Sequence, residues 1–416
     1  MCRNGGSADM SDKGRISEIF SAFLKLGLTS FGGPIAHLGY FREEFVVKRN
    51  WIDETRYASL ISLCQFLPGP ASSQVGFALG LIRGGWRGGC AAFLAFTAPS
   101  VVLMIGFALI ATSFQSPVMM AALAGLKLAA AAIIVQAVLG MSHTLCARTE
   151  QALIAVMSMA IMAVLPVQSA MVTAIIAGGL IGRLILTAEM PSEMPPHLSV
   201  ATVRIPGFVS VFCLILFVML FIGLAVLASV SDLIEFISRF YHAGALVFGG
   251  GHVVLPLLEA GFVRPDEMIS QGTVSADRFL AGYGAAQALP GPLFSFAGYL
   301  GAASASGTNA VLMGLTGVGA IFLPGFLLLI SCLSFWQRVQ RSASVTTALA
   351  GINASVVGIL GYALYDPVLI SSVHSGAELV VVVFGVILLV KARLSPLWVA
   401  LVCASSGIML AFIPFI

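Results

Sequence analysis

The chain is divided into thirteen apolar stretches, too long to be surface and too many to form one core. They lie at about 16–36, 57–82, 89–113, 118–140, 151–165, 168–187, 207–231, 237–258, 278–302, 309–334, 344–365, 378–392 and 394–416, separated by charged or proline–glycine breaks. A straight helix needs about 20 such residues to cross a bilayer. Only 9% of the 416 residues are charged and 59% are hydrophobic, against about 25% charged in an average soluble chain. That leaves too few polar side chains to cover a water-soluble body, and it also excludes a disordered regulator. Runs of this length favour helices over a barrel, whose strands would be short and would alternate with polar lumen residues. The expectation is an all-α polytopic membrane protein of about 10–13 transmembrane helices. The stretches 151–165 and 378–392, about 15 residues each, suit tight helical hairpins as well as full spans.

A net charge of +3 is too weak and scattered for nucleic acid. Seven cysteines stand singly with no CxxC pair, which reads as small buried hydrophobes rather than disulfides or metal ligands. The start, MCRNGGSADMSDKGR, holds acids and no short apolar core before an AxA-type site, so it does not resemble a cleaved signal peptide. With the N-terminus cytoplasmic and thirteen spans, thirteen Lys/Arg fall in inside connections and five outside, as the positive-inside rule expects. Four of the five exceptions are Arg42, Lys48, Arg49 and Arg56. Either this mixed-charge segment lies along the interface, or stretch 16–36 re-enters on the inside.

Residues 188–206 hold four of the 18 prolines and read as a linker. The sequence repeats on either side of it. Phe23-x-Lys25-x-Gly27-x-x-x-Phe31-Gly32-Gly33 aligns with Phe240-x-His242-x-Gly244-x-x-x-Phe248-Gly249-Gly250 at an offset of 217. Gln65-x-Leu67-Pro68-Gly69-Pro70-x-x-Ser73 aligns with Gln287-x-Leu289-Pro290-Gly291-Pro292-x-x-Ser295 at 222, and Ala122-Leu-Ala-Gly125 with Ala348-Leu-Ala-Gly351 at 226. The expected division is a first half over 1–187, a linker with a central helix over 188–236, and a second half over 237–416. An odd number of spans would make the halves an inverted-topology repeat, the arrangement of many secondary transporters.

Phe31-Gly32-Gly33-Pro34, Pro68-Gly69-Pro70, Phe248-Gly249-Gly250 and Pro290-Gly291-Pro292 interrupt apolar stretches. Glycine frees the dihedrals and proline removes a donor, so each break ends one helix and starts another. Irregular backbone at membrane depth survives where it is buried in protein or lines a cavity. A new helix N-terminus offers free amides and a positive dipole end to an oxyanion. The donors would be Ala71, Ser72 and Ser73 after Pro70, and Leu293, Phe294 and Ser295 after Pro292; the competing reading of each break is a simple kink.

Few ionisable residues fall inside the stretches. Lys127, which aligns with Asn353, is the deepest cation and the candidate for the fixed positive charge opposite an anion. Lys25, opposite His242 in the repeat, either joins it or snorkels to the interface. Glu259, Asp277, Arg278 and Glu378 lie at stretch ends and read as solvated charges. His37 and His252 follow the glycine breaks; either suits a proton relay, with hydrogen-bonded packing the plainer reading. Neither a P-loop nor HExxH occurs and no cluster has metal spacing, so no metal, cofactor or enzymatic activity is expected. Gly76-x-x-x-Gly80 and Gly178-x-x-x-Gly182 hint at close helix packing.

At the two FGG and two PGP motifs, and over essentially its whole length, the chain resembles the chromate ion transporter family in its two-domain form. The resemblance implies export of chromate across the bacterial inner membrane, driven by the proton-motive force and conferring chromate resistance. The candidate substrate-binding residues are those of the four breaks, with Gln65, Ser73, Gln287 and Ser295 from the repeated blocks. Gly251 stands where the first half has Pro34, so the half-sites need not be equivalent. Chromate is close to sulfate in shape, so sulfate is the natural competitor, and uptake of sulfate or molybdate or a passive anion channel stays open from the residues alone. An intramembrane enzyme or receptor would need a catalytic dyad or a soluble domain, and neither is evident.

Overall fold

A computed structural model describes residues 12–113, 116–187, 205–248, 250–264, 272–305, 309–333 and 342–412. These residues form helices joined by short turns, with an isolated β-bridge between Val263 and Val274. The first half runs α1 (Asp12–Thr29), α2 (Gly33–Phe41), a π-helical turn (Arg42–Lys48), α3 (Glu54–Phe66), α4 (Ala71–Ser113), α5 (Pro117–Leu145), α6 (Thr149–Val164) and α7 (Val167–Ile185). After α8 (Gly207–Leu227), the second half runs α9 (Asp232–Leu246), α10 (Val254–Phe262), α11 (Ala276–Ala288), α12 (Phe296–Ala303), α13 (Asn309–Leu333), α14 (Ala343–Ala363), α15 (Gly376–Val390) and α16 (Pro396–Phe412).

Several helices begin where a side chain satisfies a free amide. Asp53 accepts from the amide of Arg56, Ser116 from Met119, Ser275 from Arg278 and Ser375 from Glu378. Helix α4 is not straight. Gly85 has φ +61°, and Gly80 touches Gly88 although the two are eight residues apart, so 71–83 and 86–113 are antiparallel arms.

Four of the thirteen stretches turn back at their breaks. In the first, Phe23 stacks on Phe45 at 4.7 Å, and Arg49 reaches Glu18 at 3.2 Å. Arg83 meets the same carboxylate at 3.2 Å, so residues 49 and 83 lie on the face where α1 begins. Stretch 16–36 therefore re-enters, and Arg42, Lys48, Arg49 and Arg56 belong to the N-terminal face rather than the opposite one. The cause is local. Gly32 (φ +102°) and Gly33 (φ +76°) reverse the chain, and the charges of 42–49 find partners on α1. Burial pushes the Glu44 carboxyl up, and hydrogen bonding and charge from Arg49, with Lys25 and Lys48, more than reverse it to hold it below its ordinary value. The second return starts at Glu54 beside Arg42 (2.7 Å), turns at 67–70 and ends at Arg83.

The second half repeats both returns. Phe262 of α10 packs on Phe240 of α9 at 4.5 Å. In the next return the Tyr299 hydroxyl of α12 donates to the Arg278 carbonyl of α11 at 2.8 Å, and the Gly272 amide to the Ser304 carbonyl at 2.9 Å. Arg239, near the start of α9, donates to the Gly272 carbonyl, so these two returns share one face. It is the face where α5 begins, since Lys127 of α5 contacts Asp277 at the start of α11.

The long helices exchange partners between halves. Helix α5 packs along α15 and α16, and α14 along α6 and α7. The repeated Ala-Leu-Ala-Gly block makes this crossing possible. Gly125 lies against the Cys403 carbonyl and Gly407 of α16, and Gly351 against Gly178 and Gly182 of α7, close approaches that need small residues. The short helix α6 pairs with α7 as a tight hairpin, as α15 does with α16. Exposed Phe208, Phe212, Met219 and Val226 make α8 apolar on its outer face, the surface of a multi-pass membrane protein. Cys64, Cys213 and Cys403 are buried free thiols, Cys146 and Cys332 half-buried ones and Cys90 an exposed one. The linker residues 188–204 lie outside the described residues.

Candidate functional site at the four helix breaks

The four turning points meet. The Gly69 amide donates to the Val247 carbonyl at 2.8 Å, and the Gly291 amide to the Ser30 carbonyl at 3.0 Å. These are the same bond twice, since Gly69 aligns with Gly291 and Ser30 with Val247. Each Pro-Gly-Pro break of one half is thus tied to the glycine break of the other. Gly69 and Gly291 hold φ of +117° and +99°, the left-handed region in which a side chain is strained. Their surroundings also correspond. A Cβ on Gly69 would lie 3.0 Å from Gly325 Cα, and one on Gly291 would lie 2.8 Å from Ser100 Oγ. Gly325 and Ser100 follow the helical prolines Pro324 and Pro99. The glycine breaks touch as well, with a Cβ on Gly251 lying 3.1 Å from Pro34 Cγ.

Three carbonyl ends are occupied at this junction, while amides after both Pro-Gly-Pro breaks stay open. Ser30 and Val247 accept the glycine amides, and Pro68 accepts Gln74 Nε2 at 3.1 Å. The first hydrogen bond of α4 is Gln74 to Pro70, which leaves the amides of Ala71, Ser72 and Ser73 pointing at the break. In the second half Ser295 donates its amide to the Pro292 carbonyl, so Leu293 and Phe294 keep free amides and Ser295 does not. The reason is the tight 3₁₀ turn Leu293–Ser295 ahead of α12. Among the described residues, Ser30 Oγ, Ser73 Oγ, Gln74 Oε1 and Thr97 Oγ1 are buried without a partner; Ser73 and Gln74 lie at the start of α4, Ser30 at the first glycine break and Thr97 beside the Phe96 that faces Gly291. Buried polar groups are almost always paired, and this concentration leaves four such atoms open at the junction.

Two histidines complete the junction. His37 Nε2 donates to the Ser30 carbonyl at 3.2 Å, and its Nδ1 lies 3.4 Å from Ser72 Oγ, so the ring bridges the glycine break and the helix start after Pro70. His252 Nδ1 accepts from Gln287 Nε2 at 3.3 Å and lies 2.9 Å from the Tyr283 hydroxyl. The sequence marks both rings as following the breaks without showing these partners.

Other expected residues lie elsewhere or take unequal roles. Pro68, Gly69, Pro70, Ser73, Pro290, Gly291, Pro292 and Ser295 are buried at the junction, and Phe31, Gly32, Gly33, Pro34, Phe248 and Gly250 form the glycine breaks. Gly249 lies outside the described residues. Gln65 is exposed although its repeat mate Gln287 is buried. Lys127 is not brought to the breaks; its ammonium contacts Asp277 at 2.7 Å, and Asp277 precedes Leu289 by twelve residues, about 18 Å along α11. Asn353 is half-buried on α14, and Lys25 is exposed, 3.9 Å from Glu44. Ser30, Thr97 and Ser100 were not legible as site residues, because Ser30 aligns with an apolar Val247 and the other two fall inside an apolar stretch.

A profile of the family described as chromate transporter matches residues 17–183 and again 234–408, so each half matches separately. The chain belongs to the chromate transporter family. A "Probable chromate transport protein" of Synechococcus elongatus is 26% identical over 351 residues, 84% of each chain. The "Chromate transport protein" of Pseudomonas aeruginosa is 28% identical over 352 residues, 84% of this chain and 80% of the relative. An uncharacterized transporter of Methanocaldococcus jannaschii is 25% identical over 350 residues. No solved structure matches.

Proposed function

We propose that the protein is a secondary transporter that carries chromate out of the cytoplasm, driven by the proton-motive force, and so confers chromate resistance. The observation that carries the reading is the symmetric junction of Gly69 with Val247 and Gly291 with Ser30, with open amides and unpartnered hydroxyls around it. Chromate is a dianion, and one helix N-terminus offsets only about half a charge. Helices starting after all four breaks converge here, so together they offset about two charges and no buried lysine is required. The Ser30, Ser73 and Thr97 hydroxyls would complete a tetrahedral oxyanion's shell, and His37 would hold the break in register.

In this reading the halves, 1–187 and 237–416, form an inverted repeat about the central helix of 188–236. The N-terminus is cytoplasmic, the C-terminus external and the membrane the bacterial inner membrane. Returning Arg42, Lys48, Arg49 and Arg56 to the N-terminal face supports this orientation, because it gathers most Lys/Arg on one side. Sulfate shares the tetrahedral shape and competes at the same breaks. The test is radiolabelled chromate flux in everted vesicles with and without an imposed proton gradient. Gradient-driven accumulation, reduced by excess sulfate, is expected. Equilibration without accumulation would make the protein a passive channel, and loss of preloaded chromate would reverse the direction.

A further inference from the structure

Away from the junction, a cavity of about 390 Å³ opens between the end of α10, the end of α14 and the α6–α7 turn; Met162, Pro166, Glu259, Arg264, Tyr362 and Asp366 line it. Glu259 is not the solvated charge its place in the sequence implies. The return of α10 carries it under α14, and it is only 9% exposed. Both nearby donors are committed elsewhere. Arg264 donates to the Ala260 and Val263 carbonyls at 3.3 and 2.7 Å, and the Tyr362 hydroxyl donates to Asp366 at 3.4 Å. Among the described residues Glu259 has no hydrogen-bond donor, while the exposed Asp366 carboxylate stands beside it at the cavity mouth. A buried carboxylate in that position needs a counterpart.

We propose that Glu259 takes up the proton that drives chromate movement, loading it from the aqueous face on which α10 ends. The inference rests on the proton-driven transport proposed above. A 3₁₀ turn (Gly251–Val253) joins the second glycine break directly to α10, so Gly251 and Glu259 sit eight residues apart on contiguous helical turns, about 12 Å. A change of charge at one end acts on the break at the other through a rigid helix. The remaining ionisable groups on elements packed against α10 are engaged or turned away. Arg239 of α9 bonds Glu235 and the Gly272 carbonyl, Asp277 of α11 pairs with Lys127, the Tyr283 hydroxyl meets His252, and Arg278 is exposed. The repeat gives Glu259 no acidic mate, because α2 and α10 both end on a phenylalanine packed against the preceding helix (Phe41 on Phe23, Phe262 on Phe240), which sets Glu259 against Leu38. The proton site is therefore one-sided, as uptake from one compartment requires.

The test compares wild type, Glu259→Gln and Glu259→Asp in everted vesicles, reading chromate accumulation under a pH gradient and chromate–chromate exchange without one. Glu259→Gln should lose accumulation and its pH dependence while still exchanging chromate, and Glu259→Asp should recover part of the accumulation. Accumulation by Glu259→Gln with an unchanged pH profile overturns the proposal. A wild type indifferent to the gradient instead overturns the proton-driven reading itself. Should Glu259→Gln not reach the membrane, a hydrophobic carbodiimide applied to wild type reads the same group. Labelling of Glu259 that declines as pH rises supports the site; no labelling at any pH overturns it.

Discussion

A side chain at position 291 would meet Ser100 Oγ at 2.8 Å, whereas one at 69 would meet the backbone of Gly325. A side chain at Ser100 can be removed and backbone cannot, so the two sites respond differently. Gly291→Ala should lose most chromate transport, and adding Ser100→Gly, which copies the other half, should restore part of it. The rest stays lost to the φ of +99°, a strain of about 1–2 kcal/mol for a side chain. Equal flux from the single and double variants at equal expression would sink this account of the contact. Lys127 makes the opposite kind of prediction. Lys127 is 12% and its partner Asp277 69% exposed, and a pair held by so solvated a carboxylate is worth on the order of 1 kcal/mol. Lys127→Gln and Asp277→Asn should therefore change chromate flux slightly and to the same extent; collapse with Lys127→Gln alone would return that lysine to the substrate path. The glycines and prolines of the junction were legible in the sequence because backbone geometry demands those residue types. The Ser30 and Thr97 hydroxyls were not, since a hydroxyl within an apolar stretch looks the same whether it bonds its own turn or faces a guest.

Among the elements, the sequence showed where helices break but not which way the chain leaves a break. A kinked helix that continues and a helix that turns back share one hydropathy pattern, and only contacts such as Arg49 with Glu18 separate them. The thirteen stretches were therefore readable while the crossing of four of them was not. The Ala-Leu-Ala-Gly block, noticed only as a repeat, is the crossing point of α5 with α16 and of α14 with α7. Leucine at Gly125 or Gly351 should cost about 1–3 kcal/mol by overpacking, seen as a lower melting temperature in detergent and less protein in the membrane. Alanine at Gly106 or Gly319, where an added Cβ meets nothing within 4 Å, should leave both unchanged. Equal behaviour of the two sets would show that the crossings tolerate bulk.

For the whole molecule, the returning hairpins fix an accessibility pattern that full spans would not give. In a chain with its other cysteines replaced, Asn50→Cys should react with impermeant reagents from the cytoplasmic side only. Reporter fusions at residue 190 and at the C-terminus should read cytoplasmic and external respectively. An external Asn50→Cys would mean that the first stretch crosses. The exchange of partners between halves also has a consequence in time. Helix α5 ends at Leu145, and α15, with which it packs, begins at Gly376. At about 5–20 residues per second, a ribosome makes α5 on the order of 10–50 s before its partner exists. The glycine face of α5 waits that long against lipid or an insertion factor, and α6 and α7 wait likewise for α14. A ribosome that stalls before α14 leaves α5 and the α6–α7 hairpin without the second-half helices they pack against, which makes truncated chains ready substrates for membrane proteases.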